Sequence, residues 1–218
     1  MRLHLQLTSN LQPVPFDHLP ALVGTIHKWI GPNNLHDDLS LYSFSWLQGS
    51  RAGSTGLDFP QGAAFFISAH QEDVIRSIAK GIMQNPQVNW GMEVREMTVQ
   101  ETPAFTPRQR FQVASPVLVK RTLGEREQHF TFSDNGVNDL LTETLRFKLE
   151  KAGLHDDSLS VQFDKAYRQP KTKKVNYKGI GNMASVCPVI VQGRPESVAF
   201  AWNVGVGNST GIGLGALV

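Results

Sequence analysis

Cysteine is almost missing from this 218-residue chain: Cys187 is the only one. It cannot form an internal disulfide, and no second thiol or closely spaced histidine pair supplies the ligands of a structural zinc site. Set in the apolar stretch MASVCPVIV, it reads as a small buried hydrophobe. No run of about 18 apolar residues occurs, and the start MRLHLQLTSN lacks the basic and then apolar blocks of a secretory signal. These absences predict a cytoplasmic protein without metal or other cofactor, whose chemistry uses acids, bases and hydroxyls.

Charge is sparse too, at 18% of residues and a formal net of +2. It is nevertheless segregated. Residues 1–107 hold six Lys and Arg against nine Asp and Glu, a balance of −3, whereas residues 108–218 hold fifteen against ten, a balance of +5. With 40% hydrophobic residues the chain can build one large or two small apolar cores.

Hydrophobic period sets the expected elements. RLHLQL alternates and predicts a strand with Leu3, Leu5 and Leu7 on one face. Phe16, Leu19, Leu22, Val23, Ile26 and Ile30 recur at helical spacing until Gly31-Pro32 stops them. LYSFSWLQG and QGAAFFISA predict a hairpin, QEDVIRSIAKGIMQN a helix and WGMEVREMTVQ a strand. The order βαββαβ is that of a ferredoxin-like unit.

After ETPAFTPRQR, a linker candidate with two prolines, the pattern resumes with FQVASPVLVKR as a strand. SDNGVNDLLTETLRFKLEKAG follows as the clearest helix, with Ser133 or Asp134 as cap and Gly153 as stop. LSVQFDKAY, a hairpin over about 171–193 and SVAFAWNVGVG are expected to supply the remaining strands. The fold class predicted is α+β, two tandem ferredoxin-like (RRM-like) units, 1–103 and 109–218, the second less regular and ending in a glycine-rich loop.

The end of the chain, GVGNSTGIGLGALV, superficially satisfies nucleotide-binding glycine motifs, but no helix follows on whose N-terminus a phosphate would sit. Gly205, Gly207, Gly211 and Gly213 can instead let another backbone, such as an RNA strand, approach closely, or form a turn required only for packing. Residues 165–178, KAYRQPKTKKVNYK, carry Lys165, Arg168, Lys171, Lys173, Lys174 and Lys178 with no acid, beside Tyr167 and Tyr177. That pattern suits a phosphate backbone and stacked bases, or else a solvated loop. Lys120 and Arg121 can extend it. Phe65-Phe66, Trp46, Trp90 and Trp202 read as packing residues.

The glycine-rich end, YKGIGNMASVCPVIVQGRPE, SPVLVKR and LHDDLSLYSFSWLQG, in that relation along the chain, together resemble the CRISPR repeat-processing endoribonucleases of the RAMP superfamily. The resemblance implies tandem ferredoxin-like folds and a metal-independent endoribonuclease acting on CRISPR repeat RNA. It also implies a catalytic histidine in the loop or helix after the first strand and before a FSFS-like strand, the place of His36, with His27 as second candidate at the border of the first helix's apolar stripe. Imidazole, titrating near neutral pH, can take the 2′-hydroxyl proton or give one to the leaving 5′-oxygen. The family's usual lysine after the histidine is missing, which leaves Lys28, Arg51 or a lysine of the second unit to stabilise the phosphate. Tyr42 and Ser45 are either phosphate contacts or ordinary strand residues. A non-catalytic RAMP subunit holding guide RNA is the alternative, and subunits of an effector complex or a homodimer partner are further expectations. A small-metabolite enzyme whose glycine loop cradles phosphate is a more distant one.

Overall fold

Strict alternation makes RLHLQL the central strand of the first sheet, and its three leucines are buried at 0 to 1% exposure. The computed structural model describes residues 1–31 and 40–218. In order, the elements are β1 (Arg2–Leu7), α1 (Leu19–Ile30), β2 (Tyr42–Phe44), β3 (Arg51–Ala52), β4 (Leu57–Asp58), β5 (Ala64–Ala69), α2 (Glu72–Gln84) and β6 (Val94–Gln100). Then come β7 (Arg108–Phe111), β8 (Val119–Leu123), β9 (Arg126–Phe130), α3 (Val137–Lys151), β10 (Ser160–Phe163), β11 (Lys171–Tyr177), β12 (Ile180–Val186), β13 (Val189–Gln192) and α4 (Pro195–Val204).

The first sheet is antiparallel in the order β2-β5-β1-β6, with α1 after its first strand and α2 after its third. The second repeats this plan. Its sheet runs β10-β13-β7, and the last residues of the chain extend it on the β7 side: Gln112 and Val218 exchange both backbone hydrogen bonds at 2.9 Å, and Ala114 donates to Ala216 at 2.8 Å. The chain is therefore α+β with two ferredoxin-like units. The second is less regular because two hairpins, β8–β9 and β11–β12, interrupt it.

Several expectations need correction. SVAFAWNVGVG is not a strand: α4 begins with Pro195 and ends at Gly205. It is buried nearly all round, so it lacks the polar face that gives a surface helix its period. FQVASPVLVKR is divided between β7 and β8, and β9 is a mostly exposed polar strand with no hydrophobic alternation to announce it. The start of α3 is Gly136, not Ser133 or Asp134; the Asp134 carboxylate is occupied by the Thr131 backbone N–H and hydroxyl. Phe16 lies outside α1 and is 61% exposed.

The two units share their interior. Leu118, Val175, Ala184 and Leu214 from the second half belong to the core built on β1, α1 and α2. Arg2 joins the halves: its guanidinium lies 3.7 Å from the ring centroids of both Phe66 and Trp202 and donates to Ser68 Oγ and the Leu217 carbonyl. Among the described residues no helix is long and apolar enough to cross a membrane.

Candidate active site

The buried stripe of α1, formed by Leu22, Val23 and Ile26, carries His27 at its edge. Burial of β2, whose three residues all lie inside, fixes Tyr42 opposite it. Tyr42 Oη lies 3.2 Å from His27 Nε2 and donates to the Gly211 carbonyl at 3.1 Å. A phenol has one proton, and here it goes to Gly211. The phenol oxygen thus stands between the loop carbonyl and the His27 ring and directs the imidazole. Burial, with the Tyr177 phenol adding to it, pushes the Tyr42 hydroxyl up to about 12, so it remains a neutral donor.

These groups border an open cavity of about 300 Å³, which Gly24, Ser40, Tyr177, Lys178 and Gly211 also line. Gly211 is required by space. A methyl group there would collide with the Ser40 hydroxyl and come within 3.2 Å of Tyr42 Cζ. Gly24 is exposed mid-helix and a Cβ there would meet nothing within 4 Å, so α1 presents bare backbone to the cavity. Lys178 is placed by the β11–β12 turn, where Lys178 (φ 48°) and Gly179 (φ 81°) both adopt left-handed backbone, the requirement of a tight type I′ hairpin.

The predicted basic residues separate into two groups. Lys171, Lys173 and Lys174 are exposed along β11, Lys178 is exposed at its turn, and Lys165 and Arg168 are exposed in the segment before it. Lys120 and Arg121 do not join them. Lys120 pairs with Glu127 at 2.7 Å, and Arg121 is spent on α3, donating to the Leu140 carbonyl, Thr144 and Glu143.

The glycine loop also departs from a ligand-facing arrangement. Gly205, Gly207 and Gly213 are buried against the chain itself: a Cβ at Gly205 would lie 2.6 Å from the Gly215 carbonyl oxygen, one at Gly207 would strike the Leu118 carbonyl oxygen, and one at Gly213 would lie 2.8 Å from the Phe44 ring. Only Gly211 of the four lines the cavity. Packing the loop onto β2 is what sets the Gly211 carbonyl against Tyr42.

His36 lies outside the described residues. Ser45 is buried, and its hydroxyl oxygen accepts from the Phe66 backbone N–H, so it acts as a strand residue and not as a phosphate ligand. Among the described residues no group of three His, Cys, Asp or Glu side chains is placed to hold a metal ion. Gly24 and Tyr177 were not expected as cavity residues; a glycine in the middle of an otherwise good helix was the available signal, because it costs the helix about 1 kcal/mol without packing benefit.

Similarity to known proteins accords with this architecture. No curated protein sequence matches the chain. Among solved structures, a CRISPR associated protein Cas6 superposes with TM-score 0.83 at 20% identity, covering 100% of this chain and 98% of the other. A protein from a Cas6-related gene of Pyrococcus furiosus superposes with TM-score 0.86 at 18% identity, covering 100% and 97%. A RAMP protein described as binding different RNA substrates gives TM-score 0.78 at 17% identity, covering 100% and 98%. At these identities the likeness establishes the fold, and membership rests on the sequence itself: residues 99–218 match the family described as CRISPR associated protein Cas6, C-terminal, so the chain belongs to the Cas6 family.

Proposed function

We propose that this protein is an endoribonuclease that binds CRISPR precursor RNA and cuts it within the repeats, without a metal ion, by attack of the adjacent 2′-hydroxyl. The observation that carries the reading is the His27–Tyr42–Gly211 line at the wall of an open cavity bordered by Lys178. A base takes the 2′-hydroxyl proton, the 2′-oxygen bonds to phosphorus, the bond from phosphorus to the 5′-oxygen breaks, and an acid protonates that oxygen. The products are a cyclic 2′,3′-phosphate and a 5′-hydroxyl. Imidazole serves either proton transfer, worth about 10²–10⁴ in rate. His27 is assigned to one transfer and His36, from outside the described residues, to the other.

Lys178 takes the part of the missing family lysine, bringing positive charge to the phosphate at the cavity mouth. Lys165, Arg168, Lys171, Lys173 and Lys174 track the backbone of the flanking RNA. The RAMP relative described as binding different RNA substrates lends support to RNA as ligand. The test is incubation with repeat RNA in excess EDTA, beside a copy carrying one 2′-deoxynucleotide at the cut site. Cutting of the normal RNA alone is expected, with cyclic phosphate ends. Binding without cutting would identify the alternative, a RAMP subunit that only holds RNA.

A further inference from the structure

A second cavity, of about 390 Å³, opens at the start of α1 and is lined by β11 residues that precede those of the first cavity. Its walls include Phe16, Asp17, His18 and Trp46 from the first unit and Lys173 and Lys174 from the second, so the two ammoniums outnumber the one carboxylate. Phe16 is 61% exposed, an unusual position for a large ring that the helix neither buries nor uses. The Trp46 indole is anchored by donating Nε1–H to the Gly213 carbonyl at 2.7 Å, and the Lys173 ammonium stands 4.4 Å from its ring centroid. His18 is 6% exposed and its Nδ1–H is directed to the Pro15 carbonyl at 3.1 Å. Its Nε2 is enclosed, with no hydrogen-bond partner among the described residues, so His18 contributes to the wall by packing.

Aromatic walls and a pair of ammonium groups beside them match one ligand chemistry, a nucleobase with its phosphate. Rings stack on the π-face and ammoniums meet phosphate oxygens. We infer that this cavity is a base-reading pocket that receives one nucleotide splayed from the RNA strand whose neighbouring phosphate lies beside His27. The inference rests on the RNA-cutting reading above. β11 connects the two places: Lys174 borders this cavity and Tyr177 the other, three residues along a strand and so about 10 Å apart. Bridged directly, that gap takes about three nucleotides at the stacked rise of about 3.4 Å each. The base read is therefore within about three nucleotides of the cut, and the pocket contributes sequence preference there, not general affinity.

An abasic scan tests this. Affinity of the full chain is measured for the repeat RNA and for copies each lacking one base, with wild-type protein and with Phe16→Ala, whose exposed ring can be removed without opening the core. Removal of one base, or of two adjacent ones, within about three nucleotides of the mapped cut is expected to weaken wild-type binding roughly 5- to 150-fold, the equivalent of about 1–3 kcal/mol of stacking. Phe16→Ala should bind the intact RNA correspondingly more weakly and be nearly insensitive to the same base removal. Lys174→Gln should keep the base preference while weakening all copies alike. Equal sensitivity of wild type and Phe16→Ala at every position would overturn the pocket while leaving RNA cutting intact. Failure of the wild type to bind repeat RNA even at low salt would instead overturn the reading beneath it.

Discussion

Tyr42 is a positioning residue of the proposed cutting site. Its hydroxyl stands between a glycine carbonyl and an imidazole, so one side chain holds the loop and aims His27 at the same time. Tyr42→Phe keeps the ring in the core and removes both hydrogen bonds, each worth about 1–3 kcal/mol when a buried partner is left unmatched. Single-turnover cleavage should fall roughly 10- to 100-fold while RNA affinity is retained; unchanged cleavage would show that His27 does not depend on this hydroxyl. Lys148 illustrates the opposite case, a charged group whose role is inside the fold. It is 2% exposed and donates to Thr210 Oγ1 at 3.0 Å, and burial pushes its amine down to about 7. Between about 7 and its ordinary value of 10.5 the unfolded chain holds one proton more than the folded one, so this group makes stability rise with pH across that window. Below about 7 both states are protonated and the cost of the buried charge is fully present. Melting temperatures measured from about pH 6 to 10 should show Lys148→Met above wild type at the acid end, with the gap closing as pH rises. Its position was legible: it falls three residues after Leu145 and seven after Leu141, on the buried stripe, although the polar residues around it conceal this.

Elements were most legible where one face is wet. β1, α1, α2 and α3 each alternate or recur at the expected period because one side is buried and the other solvated. α4 was not legible for the converse reason, since an enclosed helix has no polar face, and Phe200, Ala201, Trp202 and Val204 then resemble the core of a strand. β9 is the mirror case, too exposed to carry a pattern. In α1, the exposed Gly24 weakens the helix where it lines the cavity. Gly24→Ala should raise stability by about 0.5–1 kcal/mol, read by denaturant unfolding, and at the same time slow cleavage by placing a methyl group in the cavity. A stabilised variant with unaltered cleavage would remove Gly24 from the site.

Across the whole molecule, the excess of basic residues and the residues of the proposed chemistry lie in different halves. The acidic first half contributes His27 and Tyr42, and the basic second half contributes the β11–β12 hairpin that reaches across to them. The charge split and the lysine-rich run were readable directly from residue order. The juxtaposition was not, because it depends on Arg2 between Phe66 and Trp202, on the glycine loop packed onto β2, and on Val175 inserted into the first core. Replacing Lys171, Lys174 and Lys178 together by Ala should weaken RNA binding and reduce the slope of log affinity against log salt by about 0.7 for each phosphate no longer neutralised, or about 2 in all. An unchanged slope would show that the hairpin lysines are solvated charges. The most direct test of the cutting site is single-turnover cleavage of repeat RNA by His27→Ala, with RNA affinity measured on the same preparation. The expected result is a rate lower by about 10²–10⁴ with affinity unchanged; a rate equal to wild type would place the chemistry away from the His27–Tyr42 cavity.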